Sequence, residues 1–418
     1  MVSSTSTKSA FKTKLTYSLK LHKNLCEAIV TGLEQVLVDG AYAHQVLELL
    51  LQSNKKWGAR DRSFIAEHFY AIVRYQRLYG YAVGIESIST RAEAWLVLGT
   101  YFCTQDIVLP AWQEWLDIDE VNVAERIAEG NTIRKIKESV PDWLDTMASS
   151  EMGEVWDSVL PILNTRAPLC IRVNTLKATK EAVINFLQKE TIAYKTVKDL
   201  PDALLIDSKK NLTNTVAYKS GWFEIQDISS QQVAPLLDVH LGLRVLDACA
   251  GAGGKSLHIA ALMQNVGDLI AIDVEPEKLK QLEIRSKRNG ANIIRPILYN
   301  SGLEKEYKKY ADRLLLDVPC TGLGVLRRQP DTKWKLTPER VTELTQLQAD
   351  ILDRYSTMVA VGGIIVYATC SILPAEGERQ IANFTARNEA FKTVAELKIM
   401  PTIDGGDGFY ICKMIREK

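Results

Sequence analysis

Two short stretches of this chain end apolar runs in residues that do chemistry. Leu314-Leu315-Leu316 leads into Asp317, Pro319 and Cys320, followed by a glycine-broken loop that carries Arg327 and Arg328. Further on, Gly363-Ile364-Ile365-Val366-Tyr367-Ala368 leads into Thr369, Cys370 and Ser371. In an open α/β sheet, ligands bind just beyond the carboxyl ends of the strands. A carboxylate, thiols and guanidiniums at such ends have the makings of a reaction centre. Cysteines in structural use are small buried hydrophobes inside strands or on helix faces, whereas these two each sit just after a strand. If the two strands are neighbours, both thiols face one crevice. A thiol attacks only as the thiolate, so its pKa must fall from about 8.5.

A second constellation lies upstream. Val245-Leu246-Asp247 reads as a short buried strand, followed by Ala248-Cys249-Ala250-Gly251-Ala252-Gly253-Gly254-Lys255-Ser256 and a helix from Leu257 to Met263. Glycines let a backbone pass close to a ligand, and helix-start amides point toward it. The next strand, Leu269 to Ile272, ends in Asp273, about twenty residues past the loop, where an acid holds the ribose hydroxyls of a nucleoside cofactor. Gly251, Gly253 and Gly254 are too crowded for a dinucleotide fingerprint. Gly254-Lys255-Ser256 is not a phosphate loop either, because residue 249 is Cys where that motif needs glycine. Asp247, at the end of the first strand, suits the amino group of a cationic cofactor such as S-adenosyl-L-methionine.

A thiol beside a methyl donor answers a specific chemical need. The C5 carbon of a pyrimidine is too poor a nucleophile to attack a sulfonium methyl. Addition of a thiolate to C6 turns the ring into an enamine whose C5 attacks; loss of the C5 proton and of the thiolate restores the ring. An acid that bonds the ring nitrogen N3 stabilises charge developing on the base, and Asp317 is placed for that. These residues alone do not say which cysteine attacks.

The elements that must position these groups follow from pattern and totals. The chain has 418 residues, 46% hydrophobic and 24% charged, the profile of a globular protein of two or three domains. Its 51 basic and 51 acidic residues cancel, so any polyanion-binding surface must come from local clustering. No apolar run reaches a membrane span. The seven cysteines are scattered without a C-x-x-C pair, which argues against disulfides and zinc and for a reducing, cytoplasmic setting. Residues 1–24 carry five lysines and no acid and read as a basic flexible arm rather than a targeting segment. Residues 25–145 read as a helical bundle, with Ala28, Ile29, Leu33 and Val36, then Val46, Leu49 and Leu50, at helical spacing. Pro110 is expected to open or end a helix, and Phe69, Tyr70, Tyr75, Tyr79 and Tyr81 to serve as core and rim. Residues 146–220 read as a small α+β module with a strand over Pro168–Asn174, a helix from about Thr179 to Lys189 and strands near Ile192–Tyr194 and Ala203–Ile206, and a further strand follows near Trp222–Ile225. The module holds ten Lys/Arg against five Asp/Glu between Arg166 and Ser220, a platform for phosphates or a solvated face. Residues 221–418 alternate strand and helix, with helices expected over 277–289 and 338–361 and a strand over 293–298.

These residues resemble the RsmB/Nop/Sun family of RNA cytosine-5 methyltransferases. The matching motifs are Asp247 to Lys255, Asp317-Val-Pro-Cys320-Thr-Gly-Leu-Gly324, Arg327-Arg328-Gln-Pro-Asp331-Thr-Lys-Trp334, Tyr367-Ala-Thr-Cys370-Ser371, Arg172 to Lys177 and Asp407-Gly408-Phe409-Tyr410. The resemblance implies an α/β, Rossmann-like class I methyltransferase domain, preceded by an RRM-like module and a NusB-like helical domain. It implies Cys370 as the nucleophile and Cys320 as the thiol that assists breakdown of the adduct. Asp317 would contact the cytosine, and Lys255 would order the site. S-adenosylmethionine would be held by Cys249, Ala250, Gly251, Ala252, Gly253, Gly254, Lys255, Asp273, Asn300 and Asp317.

The chain departs from the family in three places. Gly251-Ala252 replaces Ala-Pro, Tyr299-Asn300-Ser301 lacks the acid that meets the adenosine, and Glu376-Gly377-Glu378 lacks the Asn of Glu-Asn-Glu. Arg327 and Arg328 are left with two uses, clamping RNA phosphates or anchoring their loop by ion pairs. The expected substrate is ribosomal RNA, with the protein a monomer that needs neither metal nor membrane. The alternatives are the same chemistry on transfer RNA, and an inert RNA-binding assembly factor.

Overall fold

Among residues 20–208 and 210–418, which the computed structural model describes, the chain divides between Ser139 and Val140 into two units. The first is helical: Lys23–Leu37, Ala43–Ser53, Ala59–Ala82, Arg91–Cys103, Glu120–Gly130 and a single turn, Arg134–Lys137. Residues 1–19 of the expected basic arm lie outside the described residues, and its last two already belong to the first helix. In that helix Ala28, Ile29, Leu33 and Val36 form the buried face, as their spacing requires. The second helix buries Ala43, Val46 and Leu47, with Leu50 half-buried; Leu49, expected on this face, is 67% exposed. Phe69 and Tyr79 are buried and Tyr70, Tyr75 and Tyr81 half-buried. Pro110 neither opens nor ends a helix but lies in an irregular stretch between Cys103 and a 3-10 turn, Gln113–Trp115. Trp115 closes that stretch by donating its ring N–H to the Trp95 carbonyl at 2.8 Å.

The second unit opens with two helices, Asp142–Met152 and Glu154–Leu163. The boundary expected after residue 145 falls inside the first of them. A small antiparallel sheet follows: β1 (Leu169–Val173), β2 (Ala193–Val197), β3 (Leu200–Asp207) and β4 (Phe223–Ile225), in the order β2-β3-β1-β4. The helix Lys180–Lys189, capped by Thr179, and the turn Val216–Lys219 complete a βαββαβ, ferredoxin-like layout.

The large sheet contains β5 (Arg244–Asp247), β6 (Asp268–Asp273), β7 (Ile294–Leu298), β8 (Ala311–Asp317), β9 (Val359–Thr369), β10 (Phe391–Ile399) and β11 (Phe409–Arg416). Its order is β10-β11-β9-β8-β5-β6-β7. Strands β5 to β9 are parallel, and β11 pairs antiparallel with β9 and β10. A run of three leucines fits a strand buried on both faces. Leu314 and Leu316 pack with Leu246, Ile270, Leu352 and Tyr367 on one side, and Leu315 packs with Val245, Leu257, Leu269 and Val366 on the other. The strand order reverses between β5 and β8, so Asp247 and Asp317 flank the crevice where such sheets bind ligands. The helix expected over 338–361 ends at Ser356, and Val359-Ala360-Val361 already belongs to β9. The hairpin of β10 and β11 had no counterpart in the sequence reading.

Candidate active site

The glycine loop leaves β5 at Asp247 and is tied to the neighbouring strands by its own amides. Ala248 N–H donates to the Leu315 carbonyl at 3.0 Å, and Ala250 N–H to the Ile272 carbonyl at 3.0 Å. Gly251 N–H donates to Asp273 Oδ2 at 2.7 Å, and Glu275 N–H to Asp273 Oδ1 at 2.9 Å. Gly253 has φ +83°, and a Cβ there would lie 2.0 Å from the Leu282 side chain, so only glycine fits. Two arginines brace the loop from outside. Arg285 donates to the Ala252 carbonyl at 2.6 Å, and Arg172 of β1 donates to the Gly254 carbonyl at 3.1 Å. Glu224 of β4, buried, pairs with Arg285 and Arg288. Arg285 and Glu224 escaped the sequence reading, because nothing local marks their role.

Asp247 is fully buried. Its Oδ2 accepts from Ser256 Oγ at 2.6 Å, while Oδ1 has no hydrogen-bond partner among the described residues. Burial pushes its pKa up to about 7, against the Ser256 hydrogen bond, which lowers it. A sealed carboxylate oxygen without a partner is costly and is relieved by a cationic or N–H-bearing ligand. Together with a glycine loop at a helix start and Asp273 on the adjacent strand, it fits S-adenosylmethionine: Asp247 for the amino group and Asp273 for the ribose. Burial drives the Cys249 thiol well above the ordinary range. Asn300 follows β7 and is exposed, and its Oδ1 is taken by the Gly302 N–H at 3.0 Å.

At the other end of the crevice, β8 and β9 are neighbours, with Asp317 level with Ala368. The sulfurs of Cys320 and Cys370 lie 3.3 Å apart. A hydrogen bond to Cys370, burial, and the charges of Cys370 and Glu376 raise the Cys320 pKa well above the usual thiol value, so Cys320 stays the thiol. Lys255 Nζ lies 2.5 Å from Asp317 Oδ2 and over the Phe409 ring at 5.4 Å. Burial pulls the Lys255 pKa down, but the charge and hydrogen bond of Asp317 outweigh it, and the net shift is upward. The ion pair links the start of the helix after the glycine loop to the end of β8, three residues before Cys320. Gly324 N–H donates to the Cys370 carbonyl at 2.9 Å, and a Cβ on Gly324 would sit 2.7 Å from that oxygen and 2.1 Å from the Gly408 carbonyl.

Arg327 and Arg328 anchor their loop. Arg327 is buried and pairs with Asp407 at 2.7 Å; Arg328 pairs with Asp407 and with Asp227 at 2.9 Å. The loops after both cysteines rest on the two helices that open the unit: Leu323, Leu326, Ile372 and Leu373 pack with Leu144, Trp156, Leu160 and Leu163. Among the described residues no group of three or more His, Cys, Asp or Glu could hold a metal ion, and no helix is long and apolar enough to cross a membrane.

Comparison with known proteins places this geometry in a family. A profile described as 16S rRNA methyltransferase RsmB/F matches residues 234–415, and one for the ferredoxin-like domain of RsmF/B-like methyltransferases matches residues 140–213. The chain belongs to the RsmB/F methyltransferase family. It is similar to ribosomal RNA small subunit methyltransferase B of Photorhabdus laumondii, 31% identical over 287 residues, with 66% of each chain covered. The protein of the same description from Proteus mirabilis is 32% identical over 273 residues, covering 65% of this chain and 64% of the relative. The chain thus spans about two thirds of the length of these relatives, 66% and 64%. Among solved structures, PH0851 superposes with a TM-score of 0.81 at 23% identity, covering 96% of this chain and 100% of that one. NSun6 from Pyrococcus horikoshii with SFG superposes at 0.60 and 21% identity, covering 66% and 98%. At these identities the likeness shows the fold, Rossmann-like with a preceding ferredoxin-like module. S-adenosylmethionine is the methyl donor of the family.

Proposed function

We infer that this protein methylates C5 of a cytosine in RNA, with ribosomal RNA as the substrate, through a covalent bond between Cys370 and C6 of the base. The observation that carries this reading is the pair of sulfurs 3.3 Å apart at the ends of two adjacent parallel strands, beside a loop fitted to the methyl donor. A simple methyl transfer to an amine or hydroxyl needs no thiol. Transfer to a pyrimidine carbon needs one to make the carbon nucleophilic and a second group to manage protons on release. The names of the relatives, ribosomal RNA small subunit methyltransferases, support ribosomal RNA.

In this mechanism the target nucleotide is flipped out of its stack into the crevice. Cys370, as the thiolate, adds to C6 and leaves C5 electron-rich. S-adenosylmethionine supplies an electrophilic methyl group. Asp317, oriented by Lys255, contacts the cytosine, accepts from its N4 amino group and orients the ring. Loss of the C5 proton to water then expels the Cys370 thiolate and restores the ring. Cys320, held as the thiol within reach of Cys370, assists that breakdown. The ion pairs of Arg327 and Arg328 with Asp407 and Asp227 hold the loop that follows Cys320.

The test is transfer of labelled methyl from S-adenosylmethionine to RNA from cells lacking the protein, with bisulfite mapping of the product. Methyl on a cytosine C5 is the expected result. Absence of transfer to every cellular RNA offered would sink the reading.

A further inference from the structure

Behind the two thiols lies a sealed polar cluster that takes no part in the chemistry above. Glu376, Ser371 and Gln348 are 0% exposed and Thr321 is 2% exposed. Thr321 directly follows Cys320, and Ser371 directly follows Cys370. Glu376 Oε1 accepts from Thr321 N–H at 2.8 Å and from Gln348 Nε2 at 2.9 Å, and Oε2 accepts from Thr321 Oγ at 2.5 Å. The Thr321 hydroxyl proton is therefore spent on Glu376, so the 3.2 Å contact between Thr321 Oγ and Ser371 Oγ has Ser371 as donor. Ser371 Oγ in turn accepts the Leu373 N–H at 3.2 Å. Gln348 Nε2 also reaches the Pro319 carbonyl at 3.0 Å, and Tyr367 donates its hydroxyl proton to the Glu376 carbonyl at 2.9 Å. Backbone groups on both sides of Cys320 and the side chain next to Cys370 are thus bound to a single carboxylate, directly, through the Thr321 hydroxyl or through the Gln348 amide.

A buried carboxylate is expensive unless its lone pairs are filled, and here three donors fill them. None of those donors belongs to substrate or cofactor. The geometry has one evident consequence: the spacing of the two sulfurs is set from behind, by hydrogen bonds whose directions are all determined. We propose that Glu376 is a positioning residue that holds Cys320 in register with Cys370. The proposal rests on the covalent reading above. Its charge also helps to keep Cys320 protonated, beside the larger effects of the Cys370 hydrogen bond and burial.

Two substitutions in the full-length chain test it. Glu376→Gln keeps the volume but turns an amide N–H toward at least one donor. Methyl transfer should fall about 100-fold, as for a displacement of about an ångström in a reacting group, and a covalent protein–RNA band should accumulate. KM for S-adenosylmethionine should stay as in the wild type, because Glu376 touches no residue of the cofactor loop. Thr321→Val, which removes only the hydroxyl link, should show the same two changes more weakly, and Thr321→Ser should restore both. A purely structural role would lower thermal stability and activity together, without the adduct. Thiol spacing can also be read without any RNA. Mild oxidation by diamide, which takes up the two hydrogens of a dithiol as the disulfide forms, should link Cys320 to Cys370 about tenfold faster in the wild type than in Glu376→Gln. Peptide mass spectrometry of the linked product follows that rate. Equal oxidation rates in the two proteins overturn the positioning role, as does a Glu376→Gln enzyme with wild-type turnover and no adduct. If the wild type transfers no methyl at all, the functional reading fails instead, and the oxidation rates still decide the role of Glu376.

Discussion

The two halves of the crevice are built in opposite ways. Under β5 and β6 the loop offers backbone amides and carboxylates, and Asp247 Oδ1 is buried with no partner among the described residues. Under β8 and β9 the polar side chains of Glu376, Thr321, Gln348 and Ser371 are closed on one another, and the loop that follows is locked by Arg327, Arg328 and Asp407. Thr369 Oγ1 differs, buried and with no hydrogen-bond partner among the described residues. The first half is completed by what binds to it, so its stability and affinity depend on the ligand. The second half is closed by its own side chains, with the two sulfurs already 3.3 Å apart. A site that must accept and release a cofactor every turnover gains from an open half, and one that makes and breaks a covalent bond gains from a rigid one.

Substitutions that touch one half and spare the other can break this contrast. The largest effect belongs to Cys370→Ala, which should reduce methyl transfer by a factor on the order of 10⁴ or more, as for loss of a nucleophile, with no adduct formed. Cys320→Ala should instead let a denaturation-resistant RNA adduct build up, and its absence in an inactive variant would give Cys320 another job. Both should leave binding of S-adenosylmethionine, followed by calorimetry, unchanged.

Next in size is a stability effect on the rigid half. Arg327→Ala leaves the buried Asp407 with only Arg328 against it, and removal of one partner from a buried pair costs about 3–5 kcal/mol. Denaturant unfolding of the full chain measures it, and a loss below about 1 kcal/mol, the scale of an exposed pair, would mean that the loop is held elsewhere.

Asp247→Asn belongs to the open half. It should weaken S-adenosylmethionine binding by about 1.5–3 kcal/mol, the worth of a charged hydrogen bond, while the covalent chemistry at saturating cofactor persists. The sign of its pH dependence follows from a pKa raised by burial to about 7. The carboxylate is the form that holds a cation, so affinity should tighten as pH rises through about 7 in the wild type and stay flat there in Asp247→Asn. Stability runs the other way. A carboxyl whose pKa rises on folding contributes fully below its unfolded value, and that contribution is lost as pH climbs through about 7. The smallest change is expected from Asn300→Ala: the exposed side chain caps its own turn, so cofactor affinity should move by less than about 1 kcal/mol.

The site was legible wherever one local pattern carried it. The leucine run before Asp317, the isoleucine-rich run before Cys370 and the crowded glycines after Asp247 each mark a strand end from a few adjacent residues. The helix pair over 142–163 and the hairpin of β10 and β11 were not read, for different reasons. An expected boundary after 145 divides Asp142–Met152 between bundle and module, and its packing on Leu323 and Leu373 assigns all of it to the second unit. Phe391–Ile399 mixes lysine, glutamate and threonine with its apolar residues, as an edge strand does. Val359-Ala360-Val361 was read as helix because the periodic run before it did not break until the glycines at 362 and 363. In the second helix of the bundle, consecutive leucines let the spacing suit two faces, and packing buried Leu47 in place of Leu49.

By itself the sequence determined which atoms are available: two thiols, their strand ends, a carboxylate at the close of each of three strands, and a glycine loop that admits a ligand. It could not determine which of them meet. The 3.3 Å between Cys320 and Cys370 depends on β8 lying against β9, and the choice between RNA clamp and loop anchor for Arg327 and Arg328 depends on where Asp407 and Asp227 arrive. Those are contacts between residues far apart in the chain. Local propensity and periodicity act over a few residues, so only the closing of the tertiary structure decides them.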